Sequence, residues 1–145
     1  MFRSSSMRRP PLRRAVVAGA LVVAVAAPSA LAAVPRSGAW IGKVVKGQAV
    51  KGKAGEPAFT VKGDRLTKFV IGGVGAYCFT GYQVVTVAVP WAKIHNGRFS
   101  RTIHPIAHAN VKLTGLFLSA TRMQGTVTGS GYACDYTIGF IAHRR

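Results

Sequence analysis

The stretch Trp91-Ala92-Lys93-Ile94-His95-Asn96-Gly97-Arg98-Phe99-Ser100-Arg101-Thr102-Ile103 decides the fold class. Asn-Gly between two runs of alternating polar and apolar residues is the strongest two-residue hairpin signal, because both central positions of a type I′ turn require positive φ. Asparagine tolerates that region and glycine enters it freely. Trp91 to His95 and Arg98 to Ile103 are therefore read as antiparallel neighbours with Phe99 turned inward.

The same grammar extends in both directions. From Trp40 onward no window shows a convincing 3.6-residue period, and short β-branched or aromatic runs are cut by Gly, Pro and Asn. Upstream of the hairpin the candidate strands are Trp40 to Val45, Ala58 to Val61, Leu66 to Gly72 and Gln83 to Val89. Downstream they are Asn110 to Ser119, Met123 to Thr128 and Tyr136 to Ala142. Eight or nine short strands predict an all-β antiparallel small barrel or sandwich. Alternation puts Val111, Leu113, Gly115 and Phe117 on one face, and Tyr136, Ile138, Phe140 and Ala142 on one face of the last strand. Phe59 and Val61 join this core. Leu116, Leu118 and Ile141 fall on the opposite face, which is expected to be covered.

The N-terminal residues read as an address. Arg3, Arg8, Arg9, Arg13 and Arg14 precede an uncharged run from Ala15 to Val34, interrupted at Pro28-Ser29 and carrying Ala30-Leu31-Ala32. A basic head, a short apolar middle and small residues at the end make up a signal peptide over residues 1–32, leaving one β-domain over residues 33–145. The alternative is an uncleaved N-terminal membrane anchor, for which the continuous apolar part is short. The expected location is secreted or cell-envelope.

An exported chain with two cysteines, Cys78 and Cys134, is expected to join them in a structural disulfide. Neither lies in a C-x-x-C motif, which disfavours a redox role.

Asn96-Gly97-Arg98-Phe99, Leu113-Thr114-Gly115-Leu116-Phe117, Met123-Gln124-Gly125-Thr126 and Cys134 form an ordered series. It resembles a group of small exported bacterial β-proteins, mainly actinobacterial, that carry a dGrF…lxGxF…axGT…C pattern. Gly38-Ala39-Trp40-Ile41-Gly42 fits the same group. The resemblance implies the fold and the compartment; its motifs are turn and packing residues and imply no chemistry. This chain departs from the pattern in being unusually basic and in having Asn96 where an acid is common.

Charge is the main functional lead. The chain carries a formal net charge of +17, and beyond residue 32 its 15 Lys and Arg face only Glu56, Asp64 and Asp135. Such an excess calls for screening by salt or an anionic partner. Lys43, Lys46, Lys51, Lys53, Lys62, Arg65 and Lys68 are the candidate polyanion-binding residues. The competing reading makes them a solvated edge that discourages strand pairing. The partners expected are anionic envelope polymers, membrane headgroups or acidic polysaccharide, without specific nucleic-acid recognition.

Catalytic readings have less to draw on. Three acids offer few pairs for glycosidase chemistry, no G-x-S-x-G elbow occurs, and Gly72-Gly73-Val74-Gly75 lacks the Lys-Ser/Thr of a phosphate loop. His104 and His108 have metal-ligand spacing for a helix, but Pro105 and the flanking strands make them loop histidines. No cofactor and no metal is implied. The expected function is a non-catalytic secreted or envelope-associated β-domain that binds an anionic polymer or serves a structural role. Alternatives are a small secreted hydrolase and an inhibitor-like protein using a loop from Gly72 to Tyr77. Trp40, Trp91, Tyr77 and Tyr82 suit stacking on sugars, although core packing is the commoner use of such residues.

Overall fold

The computed structural model describes residues 33–47, 55–131 and 134–145. Eight strands follow one another as β1 (Gly38–Lys46), β2 (Ala58–Lys62), β3 (Arg65–Cys78), β4 (Gly81–His95), β5 (Arg98–Ile103), β6 (Ala109–Ser119), β7 (Arg122–Gly131) and β8 (Cys134–Arg144). Each pairs antiparallel with the next, and β1 pairs with β8, which closes the sheet into a barrel. Of the two expected architectures, the barrel is the one formed.

The hairpin forms as its residues require. Ile94 faces Phe99, His95 faces Arg98, and Asn96 and Gly97 have φ of 49° and 66°. The Gly97 carbonyl also accepts a hydrogen bond from the Phe117 amide at 2.8 Å, tying the turn to β6. Replacing Gly97 with valine is expected to cost about 1 kcal/mol or more, because a β-branched residue resists positive φ. Urea denaturation checks this; a midpoint equal to the parent's would contradict the turn assignment.

Two segments depart from the sequence-based expectation. Gln83 to Val89 and Trp91 to His95 are one strand, β4, running through Pro90. A proline is tolerated there because β4 pairs with β5 only at Ile94 and His95, leaving the rest of that edge without a ladder. Opposite Pro90 on β3 lies Lys68, at φ 55°. The inward sequence skips a residue on both strands: Leu66 and Ala92 are buried, then Phe69 and Val89, with the intervening pairs turned outward. The barrel bends at this corner.

The second departure is Gly72 to Tyr77, which is strand rather than loop. Gly73 takes φ 66° at a register shift between Ile71 and Val74 against β4, so the chain absorbs one extra residue and continues. Val74 and Ala76 are buried as a result.

Alternation nominates the core correctly. Val61, Leu113, Phe117, Ile138 and Phe140 are almost completely buried, and Phe59 and Phe99 nearly so. Trp40 stacks on Phe59 at 5.8 Å between centroids and meets Phe117 edge-on at 5.3 Å. Phe69 packs on Phe140 at 5.4 Å. Gly115 and Gly125 face each other across β6 and β7 and point inward. A Cβ on Gly115 would strike the Phe99 ring, and one on Gly125 the Phe140 ring. The two motif glycines are thus the space that the rings fill.

Cys78 ends β3, Cys134 opens β8, and the two are directly opposite each other in a short additional β3–β8 pairing. Their sulfurs are 2.00 Å apart, forming the expected disulfide. The bond suggests an oxidising, extracytoplasmic location. Among the described residues no helix is long and apolar enough to cross a membrane. The leader assigned to residues 1–32 lies outside the described residues.

Candidate anion-binding face

Period two sends alternate residues of β5 to β8 outward, and the pairing register then arranges them in rows. One row crosses the sheet as Arg98, Leu116, Gln124, Ile141 and Lys43; the next runs Ser100, Thr114, Thr126, Gly139 and Lys46. Lys46 reaches this row because of a register shift in β1: Val44 faces Phe140, Lys46 faces Gly139, and Val45 is the extra residue between them. Both Val45 and Lys46 end up exposed.

The rows border a depression of about 990 Å³ on the outer face. Its floor includes the backbone of Gly115, Gly125 and Gly139 and the hydroxyls of Ser100, Thr114 and Thr126. Its rim carries Lys46, Lys93, His95 and Arg98, with Gln124 between them, and among the described residues no acidic one lines it. Hydroxyl groups and the Gln124 amide, flanked by cations, can donate hydrogen bonds to the oxygens of an anionic chain lying across the strands.

Electrostatic crowding continues beside it. Arg65 is directly opposite Lys62 on β2 and opposite Lys93 on β4. Like charges placed opposite each other across strands are destabilising. The register nevertheless holds three cations in line.

The structure distributes the candidate residues instead of gathering them. Lys46 lines the depression, and Lys62 and Arg65 adjoin it through Lys93. Lys43 borders a neighbouring hollow of about 530 Å³ with Glu56, Arg122 and His143. Lys68 is exposed at the β3 bend. Lys51 and Lys53 lie outside the described residues. Lys93, His95 and Arg98 were not among the candidates, although alternation around Asn96-Gly97 already marks them as outward.

Other expectations need correction. The outer face is not covered: Leu118 and Ile141 are exposed beside the smaller hollow. Of the four aromatics suited to stacking, only Trp40 is core. Trp91, Tyr77 and Tyr82 are exposed, and the two tyrosines meet edge-on at 5.5 Å.

A third cavity, of about 180 Å³, opens between β4 and the β5–β6 connection, lined by Val85, Val87, Ile103, Val111 and Tyr136 among others. Burial there pushes the Tyr136 phenol up to about 12 from its ordinary value of 10.0. His104 and His108 fall in the β5–β6 connection. Among the described residues no group of three His, Cys, Asp or Glu is placed to hold a metal ion. Asp64 and Asp135 sit at opposite ends of β3, and Glu56 is separated from Asp64 by the length of β2.

Compared with protein-family models, with curated proteins and with solved structures, the chain gives no significant match.

Proposed function

We propose that this is a non-catalytic, secreted or envelope-associated β-domain that holds an anionic polymer on its outer basic face, after removal of residues 1–32 as a signal peptide. The observation that carries the reading is the acid-free depression rimmed by Lys46, Lys93, His95 and Arg98. A chain with so large a positive excess gains association rate and affinity from any polyanion that releases counterions on binding. Envelope polymers and acidic polysaccharides supply such charge outside the cell. The depression crosses several strands, which suits an extended chain better than a compact metabolite.

The test is binding of polyphosphate and polygalacturonate to residues 33–145 by calorimetry. Affinity is expected to fall by about one to two orders of magnitude between about 50 and about 300 mM salt, for roughly three engaged charges. The triple variant Lys46→Gln, Lys93→Gln, Arg98→Gln should lose most of that affinity and flatten the salt slope, since each lost cation leaves one fewer counterion to release. Binding that is indifferent to salt, or equal in parent and triple variant, would overturn the proposal.

A further inference from the structure

Arg101 breaks the alternation of its strand. On β5, Phe99 points into the core, and Arg101 two residues later pairs with Leu113, which is fully buried. An arginine at an inward barrel position suffers desolvation unless its charge and its donors are satisfied. Its Nε is buried and has no hydrogen-bond partner among the described residues. The side chain instead reaches across the seam where β4 and β5 diverge, and its guanidinium carbon lies 4.1 Å from the centroid of the Trp91 ring. Arg65 rests against the same indole at 5.4 Å. Trp91 faces outward, in alternation with the inward Ala92 and Ile94, at the bend that β3 and β4 share at Lys68 and Pro90.

Two guanidiniums therefore share one exposed indole, and Arg65 also confronts Lys62 and Lys93. The aromatic face attracts each cation, but it does not relieve their mutual repulsion. Places where local rules of patterning and charge are broken together are where function is expected to reside. An oxyanion is the missing complement: it would accept from the guanidinium nitrogens and neutralise the crowd.

We propose that Arg101 and Arg65, held against Trp91, form a clamp for a single oxyanion, a phosphate or carboxylate group. This rests on the polymer-binding reading, because Lys93 links the clamp to the basic depression. The clamp would fix one charged group of the polymer while the depression holds its neighbours.

The experiment uses two probes, sodium tripolyphosphate and trigalacturonate, which separate phosphate from carboxylate as the source of the oxyanion. Tryptophan emission is the readout. Trp40 is buried at 2 % exposure and Trp91 is 37 % exposed, so a bound anion perturbs Trp91 selectively. The expected result is a saturable emission change with one or both probes, abolished in Trp91→Phe. Arg101→Met should weaken binding about tenfold, the loss of one charge-assisted contact, while the thermal midpoint stays level or rises. A merely structural arginine would do the reverse, lowering the midpoint and leaving affinity alone. Arg145→Gln is the charge-matched control and should bind the short probes as the parent does.

The outcomes separate the two readings. Polymer binding that survives in Arg101→Met with no change in Trp91 emission overturns the clamp and leaves the depression in place. Arg101-dependent binding of the short probes without polymer binding supports the clamp and removes the polymer reading. Absence of both overturns both.

Discussion

Trp40→Ala is expected to destabilise the barrel by about 3–5 kcal/mol, as truncation of a large buried aromatic does. The indole is buried, stacked on Phe59 and edge-on to Phe117, and its Nε1 donates to the Arg36 carbonyl at 3.2 Å. Removing it leaves a cavity bordered by two rings that the closed sheet cannot move inward to fill. A small domain has only about 5–15 kcal/mol in total, so much of the protein would be near its unfolding midpoint. Trp40→Phe retains a ring against both neighbours and should lose a smaller amount. Urea denaturation followed by circular dichroism measures both. A Trp40→Ala midpoint within error of the parent would show that β1 does not seal the core as the structure has it.

Removing the disulfide is the other large perturbation. Cys78 and Cys134 are 56 residues apart, and a crosslink over that distance is worth about 4 kcal/mol through the entropy of the unfolded chain. The Cys78→Ala, Cys134→Ala variant should lose roughly that much. A local effect should accompany the global one. Among the described residues β3 and β8 pair only at Tyr77–Asp135 and Cys78–Cys134, a contact too small to persist without the bond. Hydrogen exchange in the variant should therefore accelerate first at residues 76–78 and 134–136. Uniform protection there at unchanged global stability would mean that the β3–β8 contact holds by itself.

These two sites differ in how they can be read. The disulfide needs only an even cysteine count and an exported chain. Trp40 could not be separated from Trp91 by residue type, since both precede an apolar residue in a strand-like run. What separates them is the Asn96-Gly97 turn, from which alternation sends Ile94 and Ala92 inward and Trp91 outward. β3 and β4 each carry an extra outward residue around Lys68 and Pro90, so that Val89 stays inward although it lies three residues before Ala92. Strict alternation from Phe99 back through the hairpin places Trp91 but cannot foresee the slip beyond it. It also cannot foresee the register shift at Gly73, which is why Gly72 to Tyr77 read as a loop although it continues β3.

The candidate site was legible only in its parts. Lys93, His95, Arg98 and Ser100 alternate with Ile94 and Phe99, so their outward direction follows from the Asn96-Gly97 turn alone. Lys46 could be recognised as a cation on an early strand. Its position beside Gly139, facing the same depression as Arg98, depends on closure of the barrel between β1 and β8 and on the extra residue at Val45. The sequence run from Lys43 to Lys68 suggested one basic patch, yet strands separate neighbouring charges onto different faces and ends.

By itself, then, the amino-acid order determined the strand-rich class, the type I′ hairpin, the inward faces of β6 and β8 and the covalent pair. All of these are local or compositional: turn chemistry, period two and cysteine arithmetic act within a few residues or by count. Only the tertiary structure decided that the sheet closes as a barrel and that β4 runs unbroken through Pro90. It also decided that Arg101 meets Trp91 across the β4–β5 seam and that Lys62, Arg65 and Lys93 stand in one row. Those outcomes depend on cross-strand register, which is set by bulges and by the packing of rings against Gly115 and Gly125, and neighbours created by register are not neighbours in sequence.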